Sequence, residues 1–84
     1  MGKKIQVHVA DDHKILIEGI IAVVNTDKEI EIEGYSLTGE EVLNWAREKT
    51  ADILILDINM PVYDGITVLR KFIEEKIDLK IIIL

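Results

Sequence analysis

Asp52-Ile53-Leu54-Ile55-Leu56-Asp57 is an unbroken apolar run with an acid at each end. A strand buried on both faces of a parallel sheet reads this way, because it has no side to turn to water. The stretches around it alternate in period. Ile5-Gln6-Val7-His8-Val9-Ala10 reads as a strand. Residues 14–25 carry apolar side chains at 15, 16, 17, 20, 21, 23 and 24. So wide a stripe predicts a helix buried on most of its face. Gly19 costs that helix roughly 1 kcal/mol relative to alanine. Residues 29–35 alternate charged and apolar, the mark of a half-exposed strand.

Thr38-Gly39-Glu40-Glu41 is a capping-box pattern. It opens a helix over about 39–49 that is expected to bury Val42, Leu43, Trp45 and Ala46. Residues 65–76 form an amphipathic helix, with Ile66, Leu69, Phe72 and Ile73 on the core side. Arg70, Lys71, Glu74 and Glu75 fall on the other, solvated side. Residues 80–84 begin a fourth strand. The order βαβαβαβ predicts an α/β domain: a parallel sheet, right-handed crossovers and helices on both faces.

Composition narrows the function. The chain has 84 residues, 49 % hydrophobic and 31 % charged, which suits one folded domain. Its formal net charge of −6 repels phosphate backbones, so no nucleic acid is expected to bind this segment. It has no cysteine, hence no disulfide and no thiolate metal site. No apolar run approaches the ~18 residues of a membrane helix, and none has the form of a signal peptide. A cytoplasmic location is the expectation.

In parallel sheets ligands bind outside the carboxyl ends of the strands. Asp11 and Asp12 follow the first strand directly, and Asp57 ends the third. If those strands are neighbours, three carboxylates converge. At ~4 Å and an effective dielectric of about 20, two like charges cost ~4 kcal/mol. Such a cluster takes up a proton or a cation. Oxygen donors suit a hard ion, and Mg2+ fits best. A cation beside a carboxylate is also equipment for phosphoryl transfer, with the aspartate as nucleophile. Asp57, at the end of the most buried strand, is the best placed.

Val9-Ala10-Asp11-Asp12-His13 and Asp57-Ile58-Asn59-Met60-Pro61-Val62-Tyr63-Asp64-Gly65 together resemble the response-regulator receiver domain of two-component signalling. The Asp-Asp-His opening is similar to the subgroup with a helix-turn-helix output. The resemblance spans residues 1–84 as one receiver domain. It implies a flavodoxin-like, doubly wound sheet of order 2-1-3-4. It implies that Asp57 accepts a phosphoryl group from a sensor histidine kinase. Asp11, Asp12, Asp57 and the carbonyl of Asn59 would hold Mg2+, while Met60, Pro61, Asp64 and Gly65 shape the loop over the site. Asp64 is also expected to cap the third helix. A receiver continues past its fourth strand with a Ser or Thr, then a helix, a lysine-bearing fifth strand and a last helix; these 84 residues do not include them.

Competing readings attach to the same residues. Asp12 can serve as the N-cap of the first helix. Trp45 and Phe72 read as core, Tyr63 as a loop residue beside the site, and His8 and His13 as structural. A degenerate receiver that only binds proteins is one alternative function. An aspartyl-nucleophile phosphohydrolase is another, but it usually needs a second aspartate where Asn59 stands. An apolar fourth strand at the sheet edge invites pairing with another chain. The 84 residues alone are therefore expected to self-associate or fold poorly; a sharp monomeric peak with a cooperative melt would contradict this.

Overall fold

The computed structural model describes residues 4–48, 51–60 and 64–84. The elements are β1 (Ile5–Ala10), α1 (Lys14–Val24), β2 (Ile30–Ser36), α2 (Gly39–Glu48), β3 (Ile53–Leu56), α3 (Gly65–Glu74) and β4 (Lys80–Ile83). The four strands form one sheet in the order β2-β1-β3-β4, every pair parallel. The expected doubly wound, flavodoxin-like arrangement is the one observed.

Alternation along β1 sorts the two faces. Val7 and Val9 point toward α1, where they bury Ile17 and meet the half-buried Ile53 and Ile55. Ala10 points the other way, into a larger cluster with Leu54 and Leu56 of β3. Val42, Leu43 and Ala46 of α2 and Val68 and Phe72 of α3 close that cluster. Thus α1 covers one face, and α2 with α3 covers the other.

Five expectations need correction. The run in β3 is fully covered on one face only: Leu54 and Leu56 are buried, while Ile53 and Ile55 are half-buried. Helix α1 is not buried on most of its surface. Ile17 alone is buried, and Ile15 and Val23 are 85 % and 71 % exposed, because the cluster α1 joins comes from the strands and Leu37. In α3 the core row is Gly65, Val68 and Phe72, whereas Ile66 and Ile73 are exposed. Trp45 is half-buried, and its ring stacks on that of His8. The far side of α3 is also less free than expected, since Glu75 pairs with Arg47 of α2 at 2.8 Å.

Chain ends of helices behave as local chemistry dictates. The Thr38 hydroxyl accepts from the Glu41 amide at 3.1 Å, and the Glu41 carboxylate reaches back to the Leu37 amide at 3.0 Å. Two backbone donors at the start of α2, one in its first turn and one just before it, are thereby satisfied. At the sheet edge, β4 pairs only with β3 among the described residues, and Ile82, Ile83 and Leu84 are exposed.

Candidate acidic site at the carboxyl edge of the sheet

The parallel register sets the site. Ala10 of β1 pairs with Leu56 of β3, and the Asp57 amide donates to the Ala10 carbonyl at 2.9 Å. The next residue of each strand is therefore Asp11 or Asp57, side by side. The Asp11 amide is held in turn by the Ser36 carbonyl at the end of β2, at 3.0 Å. Three strand ends thus fix two aspartates through backbone bonds alone.

One carboxylate oxygen from each of Asp11, Asp12 and Asp57 and a ring nitrogen of His13 lie within 4.8 Å of one another. Asp11 is buried, Asp57 half-buried, and Asp12 and His13 exposed. Asp11 Oδ1 accepts from the His13 amide at 2.8 Å and faces His13 Nδ1 at 2.8 Å. Asp12 Oδ1 lies 3.0 Å from the same Nδ1. The hydrogen bond from Asp11 and the charge of Asp12 hold His13 above the ordinary imidazole value. The imidazolium so favoured sits among the acids as a partial counter-charge.

His13, rather than Asp12, occupies the N-cap position of α1, and it makes no side-chain cap bond. Asp12 is drawn to the imidazole instead. His13 is the member of the cluster that the sequence reading passed over. Its signal was position: a ring two residues past a buried aspartate at a helix start can fold back onto it.

The loop after Asp57 is tied down at several points. Asp57 Oδ1 accepts from the Asn59 amide at 3.1 Å. Met60 is 6 % exposed and packs in the α2–α3 core, anchoring the loop from beneath. Asp64 caps α3 by accepting from the Thr67 amide at 2.8 Å. Pro61, together with Val62 and Tyr63, lies outside the described residues. Gly65 donates its amide to the Ile58 carbonyl at 2.7 Å. A Cβ on Gly65 would fall 2.6 Å from Ile58 Cα and 3.0 Å from the Asp57 carbonyl oxygen. The requirement is for space, since helix α3 starts against the backbone that carries Asp57.

Residues 7–84 match the family of the response regulator receiver domain. The chain belongs to that family. Relatives include the response regulator UvrY of Escherichia coli, 32 % identical over 80 residues, and the uncharacterized transcriptional regulatory protein YhcZ of Bacillus subtilis, 36 % over 76 residues. These matches cover 95 % and 90 % of the chain but 37 % and 36 % of the relatives. The chain is also 37 % identical over 73 residues to a protein-glutamate methylesterase/protein-glutamine glutaminase of Syntrophomonas wolfei, covering 87 % of itself and 21 % of that protein. It therefore spans about a third or less of these curated relatives. Among solved structures, the signal receiver domain of Mycobacterium tuberculosis NarL superposes with a TM-score of 0.88 at 23 % identity, over 98 % of this chain and 66 % of that one. Salmonella enterica RcsB, solved bound to the rprA promoter with BeF3−, superposes with a TM-score of 0.84 at 28 % identity, over 95 % and 68 %. The fold of this receiver is that of these solved structures.

Replacing Gly65 by alanine forces the start of α3 away from Ile58. Overpacking of this kind costs about 1–3 kcal/mol. Urea denaturation of Gly65→Ala is expected to show that loss; an unchanged midpoint would mean the contact is not tight.

Proposed function

We propose that this receiver accepts a phosphoryl group on Asp57 from a histidine kinase, with Mg2+ held by Asp11, Asp12, Asp57 and the backbone carbonyl of Asn59. The observation that supports this is the convergence of three carboxylates within 4.8 Å at the carboxyl edge of the sheet. Carboxylate and carbonyl oxygens are the donors a hard divalent ion takes, so the residues present fit it. When bound, the ion would neutralise charge on the phosphoryl oxygens.

The chain's own groups do the rest. A carboxylate oxygen of Asp57 forms the bond to phosphorus as the P–N bond of the phosphohistidine donor breaks. The Asn59 amide, already bonded to Asp57 Oδ1, keeps that oxygen oriented and leaves the second oxygen to attack. Asp11 is locked by its backbone and by His13, so it arrives preorganised. Domain 1–84 acts as the input half of a longer regulator, in the cytoplasm, and the output it switches binds DNA; relatives named as transcriptional regulators support that reading. Among the described residues no helix is long and apolar enough to cross a membrane.

The test uses the full-length protein with acetyl phosphate and Mg2+. An acid-stable, hydroxylamine-sensitive adduct is expected, dependent on Mg2+ and lost in Asp57→Asn. An adduct that persists in Asp57→Asn, or no adduct in the wild type, overturns the proposal.

A further inference from the structure

His8 lies in the middle of β1, its ring on the α2 side of the sheet and only 3 % exposed. Nδ1 is 2.6 Å from Glu33 Oε1, and Nε2 is 2.7 Å from Ser36 Oγ. The ring of Trp45 lies flat on it, with centres 4.0 Å apart and planes 13° from parallel. A bulge makes this possible. The β1–β2 register slips between Val7 and His8: Val7 pairs with Ile32 and His8 with Gly34. Glu33 is the extra residue, and a bulge re-aims the side chain at that point. Here it aims a carboxylate at a buried imidazole.

With Glu33 ionised, Nδ1–H donates to it and Nε2 accepts from the Ser36 hydroxyl. The Ser36 carbonyl, meanwhile, accepts from the Asp11 amide. One residue thus joins the imidazole to the acidic edge. Carboxylate, imidazole and hydroxyl in this order are also the parts of an activated nucleophile. Ser36, however, is buried at 3 % exposure, and its connection runs through the backbone to Asp11.

We propose that Glu33, His8 and Ser36 form a proton-sensitive positioning device for the acidic edge. Neutral His8 holds Ser36, and through it Asp11, in the arrangement that binds a cation; protonated His8 weakens that binding. The inference rests on the reading of the edge as a cation site. A proton on Nε2 turns that nitrogen from acceptor to donor, so the Ser36 hydroxyl must withdraw its hydrogen and accept instead. The same proton places positive charge three residues along β1 from Asp11, roughly 10 Å away, where it opposes a divalent ion. By reciprocity, a cation that prefers neutral His8 makes His8 harder to protonate.

Other groups face the ring. Glu33 comes from β2, while Glu41 and Glu48 of α2 and Tyr35 of β2 line the same cavity as His8. From β3 the residue opposite is Leu54. Burial lowers the affinity of His8 for a proton, and it outweighs the opposing pull of Glu33 and Glu41. His8 is therefore held below the ordinary imidazole value, which favours its neutral form.

Trp45 is the single tryptophan of the chain, and an imidazolium stacked on an indole quenches its emission. Emission is followed from neutral pH down to the acid limit of the folded state, with and without saturating Mg2+, while calorimetry measures Mg2+ binding in parallel. A quench is expected with a midpoint below the ordinary histidine value. Mg2+ should move it lower by about half a unit, a threefold change in cation affinity. Ser36→Ala keeps the quench and loses the larger part of the Mg2+ shift; His8→Gln loses the quench. Mg2+ that binds without moving the midpoint overturns this inference alone, as does a full shift in Ser36→Ala. A quench that is absent in the wild type also overturns it. No Mg2+ binding at all overturns the cation reading of the edge, and the coupling with it.

Discussion

The pairing of β1 with β3 is the constraint on which the site depends. A parallel ladder in which Ala10 faces Leu56 leaves Asp11 and Asp57 no choice but to emerge together. The bond from the Asp57 amide to the Ala10 carbonyl fastens the two ends at that rung. Side-chain alternation makes this register hard to slip, since a one-residue shift would turn Leu54 and Leu56 out of the core. The hydrophobic burial of one strand therefore positions a polar site beyond its end.

Gathering three carboxylates has an electrostatic cost that the fold meets in stages. Asp11 is buried but receives the His13 amide and faces the His13 ring. Asp57 receives the Asn59 amide. The His13 imidazole bridges Asp11 and Asp12 and carries a proton more readily than usual. One exposed imidazolium still leaves the cluster net negative, which is the property a divalent ion would meet. Met60 in the core, Asp64 at the cap and Gly65 against Ile58 hold the loop that completes the edge.

Much of this was legible before the structure. The apolar run at 53–56, the alternation of periods and the acids at two strand ends gave the architecture and the three aspartates, because strand burial and strand-end placement are written locally. What escaped depended on tertiary contacts. In α3 Leu69 and Phe72 lie on the core side as expected, but Ile66 and Ile73 do not; Gly65 and Val68 share the inward row with Phe72, with Gly65 tight against Ile58. In α1 the count of apolar residues overstated burial, since only the sheet side is covered. Glu33 read as an ordinary outward residue of an alternating strand, and nothing local announces the bulge that turns it to His8. His13 reads as structural, although its partners, Asp11 and Asp12, are its own neighbours in the chain.

Thermal unfolding with and without millimolar Mg2+ tests the convergence most directly. A ligand that binds only the folded state raises the midpoint by mass action. A clear rise is expected for the wild type. Asp12→Asn, relieved of one repelling charge, is expected to melt higher than the wild type without Mg2+ and to respond little to the ion. A wild-type midpoint that ignores Mg2+, or an Asp12→Asn chain that responds as fully as the wild type, would contradict this.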